Sequence, residues 1–295
     1  MPAITQYIPE HTFRGSTLTQ LMGLTVRAML DDPYPDAVLN IESHFYHVTM
    51  IADDACYELD VGKQLWLNKQ RWSRLIREYV PGQALEKFID QAREIVRGDA
   101  RQGATANMLF RDPDRYEKKH RWGGCLMGAT FHGSPAYNER PCLTFYSRTT
   151  YIGYMGMLDA AIGSVIAGLI DLDGSTPVSF RWQVTSCQLH CFKSLPFIFS
   201  QPDLMKRLAE VHRFVKRDKV KRPGTISPTW WNIAKWYDKV LEAYNEHGLK
   251  MLDPENEKYG PFRRIKRRWL EHMGHLKKAV PPSLPVSQLT MEKAE

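Results

Sequence analysis

One apolar segment, Tyr154–Ile170, restricts the folds open to this chain more than any other. It is rich in small residues and long enough for a helix. A helix that is apolar on all sides is buried inside a protein. Strand-like segments, Arg140–Ser147 and Pro177–Ser194, lie on either side of it. We therefore expect an α+β fold, with helices packed on a mainly antiparallel or mixed sheet and without a β-α-β alternation.

The other segments fill in this picture. Apolar periodicity near 3.6 residues predicts helices at 15–31, 70–79, 84–97 and 203–216. Ser16 is the expected cap of the first helix. Alternating segments rich in β-branched and aromatic residues predict two or three strands within 38–67 and single strands at 104–110 and 125–132.

The basic character of the chain lies in its last third. The formal net charge is +7, and residues 206–278 contain 19 basic against 9 acidic side chains. Four tryptophans occur there, and five of the six residues Arg263–Arg268 are basic. We divide the chain into a catalytic domain, 1–222, and a basic, Trp-rich helical extension and tail, 223–295. Basic residues interleaved with aromatic ones suit contact with nucleic acid, although a solvated helix face has the same pattern.

The expected setting is the cytoplasm. No apolar run approaches the roughly 18–20 residues of a membrane span, and the first residues do not have the pattern of a secretory signal. The five cysteines are irregularly spaced, which is typical of reduced thiols. Cys187, His190 and Cys191 resemble a metal cluster, but a strand places His190 on the opposite face from the two thiols. We expect no metal there.

Two short motifs point to chemistry. Cys125 follows Gly123-Gly124 at the mouth of a predicted strand, where its sulfur is approachable. Arg148 and Thr149 combine a planar fork of donors with a hydroxyl, which suits a phosphate group. Arg101 is a second arginine, just after a predicted helix. The alternative for each arginine is an ordinary solvated charge.

The order and spacing of these motifs resemble thymidylate synthase and its relatives, the pyrimidine nucleotide hydroxymethylases. The resemblance covers about residues 84–200. It rests on the following segments: Phe88-Ile89-Asp90-Gln91, Arg101-Gln102, Gly123-Gly124-Cys125-Leu126, Tyr146-Ser147-Arg148-Thr149, Asp159 and Gln188-Leu189-His190. It implies a thymidylate-synthase-like mixed sheet packed with helices and an obligate homodimer with shared active sites.

The resemblance also implies a reaction. The Cys125 thiolate adds to C6 of a pyrimidine nucleoside monophosphate, and C5 then attacks a one-carbon unit from 5,10-methylenetetrahydrofolate. Arg148 and Thr149 hold the phosphate, and Arg101 reaches it from the other subunit. Gln188 and His190 occupy positions that hold the sugar hydroxyl.

Asp159 indicates which base is used. In the family an asparagine at this position reads uracil, whereas an aspartate accepts a hydrogen bond from the cytosine amino group. We therefore expect hydroxymethylation of a cytosine nucleotide, dCMP or CMP, by an enzyme of phage DNA modification or nucleoside antibiotic synthesis. The alternative for Asp159 is a helix-surface position.

Several family features are changed in this chain. Gln102 replaces the second arginine of a pair, and Tyr151 stands where the family has an aspartate tied to folate binding. Glu58 is the best candidate for the catalytic glutamate.

Three other functions remain open at this point. They are C5 methylation of dUMP or dCMP, a related cysteine-dependent transfer from another carbon donor, and binding of nucleic acid or a protein by the extension.

Overall fold

The computed structural model describes residues 11–31, 42–59, 61, 80, 82–110, 125–171, 174, 177–190 and 194–220, with 238, 241–242 and 245–246. Six strands are present: β1 (His11–Gly15), β2 (Glu42–Ala52), β3 (Thr105–Leu109), β4 (Leu126–His132), β5 (Cys142–Tyr151) and β6 (Ser179–His190). Five α-helices accompany them: α1 (Leu18–Asp31), α2 (Gly82–Arg97), α3 (Met155–Ile170), α4 (Leu195–Phe199) and α5 (Pro202–Val220). A 3₁₀ turn covers Pro135–Tyr137.

The six strands form one mixed sheet in the order β1-β2-β6-β5-β4-β3. The β1–β2 and β5–β6 pairs are parallel, and the other three pairs are antiparallel. The predicted α+β class with a mixed sheet is confirmed. The expectation of no β-α-β alternation is wrong in two places, because a helix connects the strands of each parallel pair, α1 in the first and α3 in the second. Parallel strands need such a crossover.

The start of the chain differs from its prediction. Residues 11–15 form β1, and the first helix begins only at Leu18. Thr17 caps it instead of Ser16, since the Thr17 hydroxyl accepts a hydrogen bond from the Gln20 amide at 3.2 Å. The Gln20 side chain in turn accepts from the Ser16 amide, so the cap is close to a capping box. Of the two or three strands expected in 38–67, the described residues contain one, β2, while 38–41, 60 and 62–67 lie outside them, as does the predicted helix at 70–79.

The helices pack on one face of the sheet, which we call the covered face. α1 contacts β1, β2 and β6, α2 contacts β3 and β4, and α3 contacts β5. The core between the layers holds Phe145, Phe180 and Trp182, which meet edge to face at centroid distances of 4.9 and 6.4 Å. Each fully buried side chain of this size contributes roughly 1.5–3 kcal/mol. On the other side, the open face, Asn107, Arg181 and Gln183 are exposed.

The three central strands change their burial phase at the same level. In a regular strand every second residue is buried, because side chains alternate between the faces. In this sheet the spacing between consecutive buried residues of the covered face increases once in each strand from two to three. The pairs are Phe45 and Val48 in β2, Ser147 and Thr150 in β5, and Val184 and Cys187 in β6. Two consecutive residues therefore face the open side in each strand: 46–47, 148–149 and 185–186.

These interruptions lie side by side. Ser147 is opposite Val184 and Val184 is opposite Val48, while Thr149 is opposite Ser186 and Ser186 is opposite Tyr46.

His47 has a φ of 53°, a conformation in which His is enriched over most non-glycine residues. The β4–β5 register shifts beside it, between Leu126 and Gly128. We call Met127, Arg148, Thr185 and His47 the kink row, because the burial phase of β2, β5 and β6 changes at this level and the β4–β5 register shifts there.

The compact units of the chain are residues 1–231 and 232–295. Most of the predicted extension, 223–295, lies outside the described residues, as does the exact boundary predicted at 222. Five positions within it, 238, 241–242 and 245–246, are helical. Across the described residues, no helix has both the length and the apolarity needed to cross a membrane.

Candidate functional site

Arg148 and Thr149 face the same side of the sheet because of the kink row. In an uninterrupted strand these neighbours would point to opposite faces. The kink row places both on the open side, where Arg148 is exposed and Thr149 is half-buried. The guanidinium and the hydroxyl are therefore available to one ligand. A phosphate, which accepts several hydrogen bonds and carries negative charge, suits this pair.

Cys125 lies beside Arg148 at the beginning of β4. The Arg148 amide donates to the Cys125 carbonyl at 2.8 Å, and the next pair in the ladder is Leu126 with Ser147. β5 continues to Tyr151, whereas β4 begins at Leu126. Among the described residues, β5 therefore extends beyond the first residue of β4, and we call this end of β4, at Cys125, the notch. Cys125 is partly exposed at the notch, which is where the sequence analysis placed an approachable thiol.

A polar surface continues from Thr149 onto the neighbouring strands. Thr149 is opposite Ser186 in β6, and two residues further along β6 Gln188 is opposite His44 in β2. The Ser186 hydroxyl lies 3.4 Å from His44 Nε2 and accepts from Gln188 Nε2 at 3.3 Å. The His44 ring also packs 5.4 Å from the Tyr46 ring. Ser186, which is level with Thr149, is thus linked by polar contacts to Gln188 and His44.

His44, Tyr46 and Ser186 were missed by sequence reasoning. The alternation of polar residues at 44 and 46 was visible in the sequence, but nothing local shows that β2 pairs with β6. Only that pairing brings His44 to Gln188 and Tyr46 to Ser186. The three residues belong to the candidate site by position.

Asp159 is fully buried, at 0% exposure. It lies on the stripe of α3 that faces the sheet, between Gly156 and Gly163. A Cβ on Gly156 would lie 3.0 Å from Thr150 Oγ1, and one on Gly163 would lie 2.5 Å from the Phe180 ring. The alternative reading of Asp159 as a helix-surface residue is therefore wrong. A buried carboxylate is costly unless it meets a hydrogen-bond donor or a cation.

Several polar groups lie on the covered face of β5 and β6, against which the helix of Asp159 packs. The Trp182 indole N–H donates to the buried Ser147 hydroxyl at 2.8 Å. Thr150 Oγ1 is buried and makes no hydrogen bond to any described residue. Asp159 lies on the covered face, whereas Thr149 lies on the open face.

Glu58 and Arg101 lie away from the notch. Glu58 follows the far end of β2, since Ala55 bonds Val178 just before β6 and the Glu58 amide bonds the Thr19 hydroxyl. Its predicted part as the catalytic glutamate thus gains no support from this arrangement. Arg101 is exposed before β3, whose first residue, Thr105, pairs with His132 at the opposite end of β4 from Cys125. β4 has seven residues, so the two ends are about 20 Å apart.

His190 ends β6 opposite Glu42. Only its backbone is among the described residues, so its predicted contact with a sugar hydroxyl stays a prediction.

Two other thiols, Cys187 and Cys56, are less suited to nucleophilic chemistry. Burial raises the pKa of the Cys187 thiol to about 12. Burial, followed by the nearby carboxylates of Asp54 and Glu58, raises the pKa of Cys56. A thiol with a raised pKa is a poor nucleophile at neutral pH, because little thiolate is present. In the part of the chain that the structure describes, no three His, Cys, Asp or Glu side chains form a group able to hold a metal.

Comparisons with known proteins give no family. No protein-family model matches the chain, and no curated protein matches its sequence.

Proposed function

We propose that this protein is an enzyme that modifies C5 of a pyrimidine nucleoside monophosphate, and that its reaction is hydroxymethylation of a cytosine nucleotide. One observation carries the proposal. The kink row turns Arg148 and Thr149 to the same side, next to an approachable cysteine and above a buried carboxylate. An arginine, a hydroxyl and a thiol thus lie at neighbouring positions of β4 and β5, and a buried carboxylate lies on the helix that packs against β5.

The phosphate is held by Arg148 and Thr149. The guanidinium donates two parallel hydrogen bonds to phosphate oxygens, and the Thr149 hydroxyl donates a third. The binding energy of the phosphate, which does not react, fixes the base against the thiol.

The Cys125 thiolate is the nucleophile. Its sulfur bonds to C6 of the pyrimidine, and the electron pair of the C5–C6 double bond moves to C5. C5 then attacks a one-carbon unit at the oxidation level of formaldehyde, whose bond to its donor breaks, and C5 loses its proton. Water supplies the hydroxyl oxygen, and the expulsion of the thiolate restores the C5–C6 double bond. The positive charge of Arg148, next to Cys125 in the ladder, favours the thiolate.

The base is read by Asp159. The cytosine amino group donates a hydrogen bond, and a buried carboxylate accepts it at no further cost in desolvation. Uracil presents an oxygen at the same position, which a carboxylate repels. The full burial of Asp159 on the sheet-facing side of α3 supports this assignment.

The resemblance names methylenetetrahydrofolate as the carbon donor, but the described residues do not fit it. Tyr151 stands in place of the aspartate tied to folate, and its strand partner is Gln188.

We further propose that the enzyme is a homodimer in which each subunit completes the other's phosphate site. Arg101 is about one length of β4 away from Cys125 in its own chain, so it cannot serve the notch of that chain. A two-fold axis that packs the open faces together antiparallel brings Arg101 toward the notch of the partner. The open face offers exposed Arg181, Gln183 and Asn107 for such packing.

The experiment is release of tritium from 5-tritiated dCMP, CMP and dUMP, each with and without methylenetetrahydrofolate. Loss of the C5 proton releases tritiated water, so the assay reports the C5 step, the preferred base and the need for folate. We expect release from a cytosine nucleotide by the wild-type enzyme.

The matched variants are Cys125→Ala and Cys142→Ala, which remove two partly exposed thiols. Cys125→Ala should abolish release while nucleotide binding remains, and Cys142→Ala should keep wild-type release. Full activity of the Cys125 variant contradicts the proposal, as does the absence of release from every nucleotide.

A further inference from the structure

One buried hydroxyl of β5, that of Thr150, differs from the other buried hydroxyls around the sheet. Thr150 is 1% exposed, and its Oγ1 makes no hydrogen bond to any described residue. The buried hydroxyls of Ser147, Ser179 and Ser194 each take part in one. Buried polar groups are nearly always paired in native proteins, because an unpaired group loses its hydration without compensation. The Thr150 hydroxyl therefore suits a partner that the fold itself does not supply.

The Thr150 hydroxyl faces the first turn of α3, which also directs Asp159 toward it. A Cβ built on Gly156, the second residue of α3, would lie 3.0 Å from Thr150 Oγ1. Asp159 is fully buried less than one turn further along the helix. Because the Cα–Cβ bonds of an α-helix tilt toward its N-terminus, the Asp159 side chain covers the turn that contains Gly156. The hydroxyl and the carboxylate thus lie against the same turn, one from the sheet and the other from the helix.

These two groups complement one edge of cytosine. The amino group on C4 of the base donates hydrogen bonds, and the adjacent ring atom, N3, accepts one. An ionised carboxylate can only accept a hydrogen bond, whereas a hydroxyl can donate one. A cytosine whose amino group meets Asp159 therefore needs a donor for N3, and Thr150 is the buried donor that faces the same turn of α3.

We propose that Thr150 is a further base-binding residue, whose hydroxyl donates a hydrogen bond to N3 of the cytosine that Asp159 reads. The identity of the ligand rests on the proposed function. Because the hydroxyl is buried without an acceptor in the free protein, its removal should not destabilise the fold. The same removal should weaken nucleotide binding. A hydroxyl with a purely structural role would give the opposite combination, a loss of stability without a loss of binding.

The test compares binding of dCMP and of 3-deaza-dCMP, in which a C–H group replaces N3, by calorimetry. We expect the wild-type protein to bind dCMP about five- to tenfold more tightly, which corresponds to one hydrogen bond. Thr150→Val replaces the hydroxyl by a methyl group of similar size. It should bring the ratio close to one by weakening dCMP binding alone, and its midpoint of urea unfolding should equal or exceed that of the wild type. Thr150→Ser, which keeps the hydroxyl, should keep most of the ratio.

The control is Thr144→Val, at another buried threonine of β5, whose hydroxyl lies 3.8 Å from Cys142 Sγ. It should keep the wild-type ratio. A Thr150→Val variant with the wild-type ratio overturns the inference, and so does a wild-type ratio near one or a lower unfolding midpoint for Thr150→Val.

The outcomes separate this inference from the proposed function. Tritium release by the wild type, together with an unchanged ratio in Thr150→Val, refutes the role of Thr150 alone. The expected ratios without tritium release refute the proposed reaction alone. A wild-type protein that binds neither nucleotide refutes both.

Discussion

Replacing Gly163 by alanine tests the orientation of α3, on which the burial of Asp159 depends. A Cβ at this position would lie 2.5 Å from Phe180 Cε2 and 3.0 Å from Cζ. Phe180 is fully buried and touches Phe145 and Trp182 edge to face. Because the ring has other rings around it, it cannot retreat without moving them.

The expected magnitude combines two opposing terms. Overpacking of a filled core costs about 1–3 kcal/mol, whereas exchanging glycine for alanine inside a helix gains about 1 kcal/mol. Gly163→Ala should therefore lower the free energy of unfolding by about 1 kcal/mol. Gly168 is in the same helix and has no atom within 4 Å of an added Cβ. Gly168→Ala should raise the free energy of unfolding by up to about 1 kcal/mol.

The assay is urea unfolding of both variants and the wild type, followed by circular dichroism. The difference between the two variants isolates the overpacking term, since the gain in helix propensity is common to both. In thermal unfolding, each 1 kcal/mol corresponds to about 2–4 °C for a domain of this size. If Gly163→Ala proves as stable as Gly168→Ala, α3 does not pack on Phe180 through this stripe. The inward position of Asp159 then loses its basis.

Three further predictions concern other parts of the core and the site. The Cys187 thiol has its pKa raised to about 12, so its ionisation in the unfolded chain near pH 9 should lower stability by about 1.4 kcal/mol per pH unit between 9 and 12. Cys187→Ala should lose this slope in urea titrations, and an equal slope in both proteins contradicts the prediction. Trp182→Phe should cost about 1–3 kcal/mol because it leaves the Ser147 hydroxyl buried without its donor. Adding Ser147→Ala should recover part of that loss in a double-mutant cycle. Asp159→Asn should shift the preference in kcat/KM from cytosine toward uracil nucleotides, whereas an unchanged ratio argues against base reading by Asp159.

Segments with a clear period were predictable from the sequence. The helices at 84–97 and 154–170 lie within two residues of α2 and α3, because each has a sustained apolar pattern. β2 was harder to predict. Its alternation changes phase at Tyr46 and His47, so one strand has the sequence pattern of two. β1 was missed because five residues that include Arg14 and Gly15 carry too little pattern to stand out beside a helix.

The candidate site was predictable only where local motifs define it. Cys125, Arg148 and Thr149 stand out by their neighbours in the sequence. Ser186 and His44 do not, because a cross-strand contact unites them, and strand order is a property of the whole sheet. Glu58 was predicted at the site because it follows the first strands. Since β2 is antiparallel to β6, the last residue of β2 pairs with Phe180, at the opposite end of β6 from Gln188.

The kink row also limits how this fold can vary in length. A residue added within β5, between Phe145 and Arg148, would exchange the faces of every side chain beyond it in that strand alone. The buried positions of β5 would then no longer lie level with Val184 and Cys187 in β6, or with Phe45 and Val48 in β2. An insertion tolerated here therefore needs matching insertions in the adjacent strands. Related chains should differ in length at loops such as 53–59, while the strand segments that cross the kink keep a constant number of residues.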